Sequence, residues 1–94
     1  MYARVVRFTD VTPERVEEIK SRIESEDGPP PGVDSTGMTM LHDASQGTAI
    51  FVGYFETEEK LAAADAALGA MDASETPGTR ASVDQCEVVV QTDA

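Results

Sequence analysis

The octapeptide Thr48-Ala49-Ile50-Phe51-Val52-Gly53-Tyr54-Phe55 constrains this chain more than any other stretch. Successive side chains of a strand point to opposite faces, so Ala49, Phe51, Gly53 and Phe55 share one side and Ile50, Val52 and Tyr54 the other. Both sides are mostly apolar, and a strand of that kind needs cover on both. One cover follows at once. Thr57 can cap a helix whose first turn holds Glu58 and Glu59, where acidic side chains suit the positive end of the helix dipole. Leu61, Ala64, Leu68 and Met71 then recur at helical spacing, the intervening alanines allow close approach to a sheet, and Gly69 weakens the last turn. Every other segment has to lie beside this unit or over its second face.

The remaining segments read as such neighbours. Tyr2 to Thr9 alternates as a strand, with Tyr2, Arg4, Val6 and Phe8 on one side and Ala3, Val5 and Arg7 on the other. Thr12-Pro13-Glu14 is a strong helix start, with Thr12 as the cap and Pro13 in the first turn. Val16, Ile19 and Ile23 give that helix one narrow apolar stripe. Ser25 to Ser35, containing Gly28-Pro29-Pro30-Pro31-Gly32, is the main linker and is expected to be extended and stiff. Thr36 to Asp43 returns to a strand pattern, with Met38, Met40 and His42 on one face and Thr39 and Leu41 on the other. Ala44 to Gly47 reads as a hairpin loop in which Gly47 can take a positive φ. After a polar loop, Asp72 to Thr79, a last strand is expected over Ala81 to Thr92.

The order strand, helix, strand, strand, helix, strand is the split βαβ arrangement: an α+β, ferredoxin-like βαββαβ fold whose four-stranded antiparallel sheet carries both helices on one face. At 94 residues this is expected to be a single domain spanning 1–94. So short a chain buries a modest share of its surface, which makes pairing with a second copy an obvious source of stability.

Charge narrows the partners. The formal net charge is −11, from 18 acidic and 7 basic residues, and Lys20 and Lys60 are the only lysines. Nucleic-acid backbones and anionic membranes call for clustered Lys and Arg, so neither is expected as a partner. Phe51-Val52-Gly53-Tyr54 matches half of the aromatic motif of RNA-recognition modules, but Gly47, Thr48 and Ala49 stand where its basic, glycine and first aromatic positions belong. No apolar run reaches membrane-spanning length, MYARVVRF has no signal-peptide core, and one cysteine cannot form an internal disulfide; a cytoplasmic location is expected.

Residues that could carry chemistry are few. His42 and Cys86 are far apart and form no zinc pattern, and the acidic clusters lack calcium-loop spacing, so no metal is expected. No nucleophile elbow, phosphate loop or dinucleotide fingerprint is present, and no cofactor is expected. His42 beside Asp43 is the one histidine–carboxylate neighbour pair, but adjacent strand residues face opposite ways. Cys86 reads as a small core residue, since nothing nearby lowers its pKa.

Pro31-Gly32-Val33 leading into Met38-Thr39-Met40-Leu41-His42-Asp43, and Val52-Gly53-Tyr54-Phe55-Glu56-Thr57-Glu58-Glu59 leading into the second helix, resemble the dimeric α+β barrel superfamily, especially its antibiotic-biosynthesis-monooxygenase-like group. The resemblance covers nearly the whole chain. It implies two subunits packed sheet against sheet into a barrel, with ligand pockets between each sheet and its helices. Members include cofactor-independent oxygenases, haem-degrading enzymes and proteins without an assigned reaction. The asparagine, tryptophan and histidine that such enzymes use fall here at Val6 and Arg7, at Phe55, and at Ala64 and Asp65.

Two readings follow. One is a homodimeric small-molecule-binding or accessory module that holds a small apolar or aromatic molecule, with Phe51, Phe55 and Met40 as candidate pocket residues. The other is a cofactor-independent monooxygenase or isomerase acting on a small aromatic, polyketide-like substrate. Its candidate catalytic residues are His42, Arg7 and Tyr54, with Arg4 and Tyr2 as further anion- and proton-handling positions.

Overall fold

In the computed structural model, residues 1–26, 28–29, 32–70 and 76–93 are described. Six elements follow in order: β1 (Tyr2–Thr9), α1 (Pro13–Ser25), β2 (Gly37–Asp43), β3 (Thr48–Phe55), α2 (Glu58–Gly69) and β4 (Thr79–Glu87). The strands form one sheet in the order β2-β3-β1-β4, with every neighbouring pair antiparallel. This is the βαββαβ ferredoxin-like topology. β1 is central, with Val5 opposite Val52 on one side and Asp84 on the other.

Both helices begin where the sequence places their caps. The Thr12 hydroxyl accepts a hydrogen bond from the Arg15 amide at 3.2 Å, and the Thr57 hydroxyl accepts one from the Lys60 amide at 3.2 Å. Each satisfies an amide that the first helical turn leaves without a partner. The hairpin between β2 and β3 turns at Gly47 (φ 65°), a conformation that costs glycine nothing. The Gly47 carbonyl accepts from the Val11 amide at 2.9 Å, which ties the turn after β1 to the hairpin.

The helices pack on the same side of the sheet, the side of Tyr2, Arg4, Val6 and Phe8. Val6, Phe8, Val11 and Ala49 form one buried cluster, joined by Val16 of α1, Phe51 and Val83. Phe55, Leu61 and Ala64 form a second, joined by Tyr2 and Val33. Ile19, the centre of the α1 stripe, is buried. Arg15 closes the end of α1 against the approach to β4, donating from Nε and Nη2 to the Thr76 carbonyl at 3.1 and 3.0 Å.

Three expectations need correction. β4 ends at Glu87 rather than Thr92, because its neighbour β1 runs out: the Val88 amide donates to the Met1 carbonyl at 2.9 Å, and Val89 and Val90 beyond it are exposed. Cys86 is exposed instead of buried in a core, since it lies on an edge strand and on the side away from the helices. β4 also begins earlier than expected, at Thr79, and its register slips by one residue opposite Arg7 and Phe8. The expectations for Pro30, Pro31 and Met71, and for most of the loop from Asp72, lie outside the described residues.

Candidate functional site

The register fixes what each side of the sheet presents. On the helix side, Met40 lies opposite Phe51, and Phe51 meets the Phe8 ring edge-on at 5.5 Å and 63°. Phe55, 1 % exposed, stands four residues away in the other cluster. The three candidate pocket residues therefore share a side, with Met40 and Phe51 adjacent and Phe55 packed under α2. Two open depressions flank α2, one at Thr57, Glu58, Glu59 and Ala62 and one between Leu61 and Gln85 of β4; neither includes Met40, Phe51 or Phe55.

The candidate catalytic residues are dispersed within one chain. His42 is exposed on the helix side of β2, opposite Ala49. Arg7 and Tyr54 lie on the other side, opposite Ile50 and Ala3 respectively. That four-residue offset along β3, with one strand spacing across, separates the Arg7 and Tyr54 backbones by roughly 14 Å. Asp43 does not orient His42. Its carboxylate accepts from the Ser45 hydroxyl at 2.6 Å and the Gln46 side-chain amide at 2.7 Å, which hold its pKa below the ordinary aspartate value. It is a turn residue.

Arg4 is the one buried basic side chain among the described residues, 6 % exposed in the middle of the helix side. Its Nε donates to Asp65 Oδ1 of α2 at 2.9 Å, so the guanidinium already has a carboxylate from its own chain. The pair bridges the sheet to α2 between the two apolar clusters. The sequence carries a signal for it. Asp65 lies four residues after Leu61 and three before Leu68, on the buried stripe of an alanine-rich helix, where a lone carboxylate calls for a buried cation.

The other side of the sheet has no element of this chain packed on it among the described residues. Its middle rows run Leu41-Ile50-Arg7-Ser82 and Thr39-Val52-Val5-Asp84 across β2, β3, β1 and β4, with Tyr54, Ala3 and Cys86 in the row below. Leu41 is 49 % exposed, and Ile50, Val52, Tyr54 and Val5 are half-buried. Charge is nearly absent: besides Asp43, committed to its turn, the strands place only Arg7 and Asp84 here. In a chain carrying 18 acidic residues, an apolar face with so little charge is the feature that stands out.

At the α2 start, Lys60 reaches Asp34 at 3.1 Å and Glu56 at 3.8 Å; the Asp34 hydrogen bond, reinforced by both carboxylates, raises the Lys60 pKa. Among the described residues there is no group of three His, Cys, Asp or Glu able to hold a metal, and no helix long and apolar enough to cross a membrane. No protein-family model matches the chain, and neither does any curated protein.

Proposed function

We propose that this protein is a cytoplasmic homodimeric module of the dimeric α+β barrel kind, two copies pairing through their open sheet faces, and that it serves as a small-molecule-binding or accessory component. The observation that carries the reading is the face of Leu41, Ile50, Val52, Val5 and Tyr54, apolar and almost free of charge in a chain of net charge −11. Four strands about 4.8 Å apart and about eight residues long present roughly 500 Å² in projection; with side-chain relief on both copies, the buried total approaches the ~1,200 Å² at which specific interfaces begin. The small apolar or aromatic molecule belongs on the helix side, beside Met40 and Phe51. The enzymatic alternative asks His42, Arg7 and Tyr54 to act on one substrate, and within a chain they occupy two faces and two ends of the sheet.

Light scattering on gel-filtered protein at micromolar concentration is expected to give twice the 10.0 kDa chain mass. Val52→Asp, which sets a charge at the centre of the face, is expected to give a folded monomer by circular dichroism. A wild-type chain that elutes cleanly as a monomer overturns the reading. Mass spectrometry after incubation with an aromatic metabolite library then separates binding from turnover: bound, unmodified compounds fit the module, and oxidised ones the enzyme.

A further inference from the structure

Arg7 and Asp84 are the two opposite charges on the open face, and neither makes an ion pair or a side-chain hydrogen bond to a described residue of its own chain. They sit on a diagonal, since Val5 is opposite Asp84 and Arg7 is opposite Ser82. Covering them with an apolar sheet and leaving them unpaired would be strongly unfavourable, because buried charge needs a counter-charge.

We propose that Arg7 of each copy pairs with Asp84 of the other, and that this reciprocal pair fixes how the two sheets dock. The proposal rests on the homodimer reading above. An isologous face-to-face contact has its two-fold axis in the plane between the sheets, and residues that exchange places across that axis meet. For Arg7 to meet Asp84, the axis must bisect the diagonal between them. On a flat grid with strands ~4.8 Å and residues ~3.4 Å apart, that line continues between Val5 and Arg7 and passes close to Val52.

The axis chosen by the charges therefore runs through the middle of the apolar patch, which nothing in the choice required. The same operation brings Tyr54 over Thr39 of the second copy and sets the exposed Leu41 over the small side chain of Ala3. It leaves Asp43 beyond the edge of the second sheet, in solvent. The strands then cross at roughly 70°, close to the orthogonal mode of sheet packing.

The test is charge reversal followed by mixing, read as the dimer dissociation constant by analytical ultracentrifugation in 0.15 M salt. Arg7→Asp sets carboxylate against carboxylate at both symmetry-related contacts, and Asp84→Arg sets guanidinium against guanidinium at both. Each variant alone is expected to dimerise at least about tenfold more weakly than wild type. Mixed together, the two variants form a heterodimer in which one contact is carboxylate on carboxylate's replacement guanidinium and the other is the native pair, so both contacts are again of opposite charge. That heterodimer is expected within about threefold of wild-type affinity. Lys20→Asp mixed with Glu24→Arg, at a pair 4.0 Å apart on α1, makes the same changes in net charge and is expected to show no preference for the heterodimer.

A wild-type dimer that tolerates both reversals overturns the pairing while the dimer stands. Weakening without rescue on mixing places the pair within one chain and also overturns it. A monomeric wild type removes the dimer itself.

Discussion

At the scale of single residues, the Arg4–Asp65 pair is the most exacting arrangement in the molecule. Arg4 is almost wholly buried, while about a third of the Asp65 side chain reaches solvent. Removing the carboxylate leaves a guanidinium in the sheet–helix layer without its counter-charge. Asp65→Ala is expected to lower the unfolding free energy by about 2–3 kcal/mol in urea denaturation, toward or below the usual range for buried pairs because Asp65 is partly screened. Arg4→Met combined with Asp65→Ala removes both charges and is expected to recover most of that loss. A recovery no better than additive would mean that the pair acts through packing alone. The sequence holds both members of this pair but not their pairing. Arg4 is readable as a cation on the strand face that also carries Val6 and Phe8, but its partner lies 61 residues away, and a strand pattern does not say which helix residue will lie above it. Cys86 misleads for a related reason: its size and polarity suit a core, and only the sheet order puts it on an edge.

At the scale of elements, local signals carry far. Thr12 and Thr57 as caps, Gly47 as the turn residue and the limits of β1 and β3 all follow from short-range chemistry, and the structure has each of them. The end of β4 does not, because Val88, Val89 and Val90 have strand propensity but no neighbouring strand beyond Met1. The start of β4 depends on a close approach that the sequence shows only as Pro77-Gly78. A Cβ on Gly78 would fall against the Thr9 carbonyl oxygen and within 3.0 Å of the Val11 side chain. Gly78→Ala is therefore expected to lower stability by about 1–3 kcal/mol, the usual effect of overfilling a packed site. Gly37→Ala, where an added Cβ meets nothing within 4 Å, is the control and is expected to leave the unfolding midpoint nearly unchanged. Equal effects at the two glycines would count against the packing argument.

At the scale of the whole molecule, the proposed homodimer has to hold together two bodies of net charge −11 each. The proposed contact face is nearly uncharged, so the repulsion would be long-range and screened, with a Debye length of about 30 Å at 0.01 M salt and about 8 Å at 0.15 M. Dimer affinity is expected to rise by about tenfold or more between those salt concentrations, the opposite of an association driven by attraction between charged surfaces. Sedimentation equilibrium across a salt series measures this, and an affinity that falls steadily as salt is added would contradict it. The proposed Arg7–Asp84 contact would work in the other direction but is local, and local pairs are screened less than net charge. That no described element covers Ile50, Val52 and Tyr54 is legible from the sequence, because one strand with two apolar sides needs two covers and the described helices supply one.

The central position of β1 has a consequence for how the protein is made. Of the six elements, the one synthesised first, β1, is the one that needs two neighbours, and its second neighbour, β4, is the last of the six to be made. The β2–β3 hairpin can close early, since its two strands are separated by a short turn. β1 can join that hairpin once Phe55 has emerged, but its other edge stays open until Thr79 to Glu87 is free. For that interval the nascent sheet ends in a strand made of Val5, Val6 and Phe8, an apolar edge with unpaired backbone groups. The time between synthesis of β1 and arrival of β4 is therefore the interval in which this sheet is most open to mispairing.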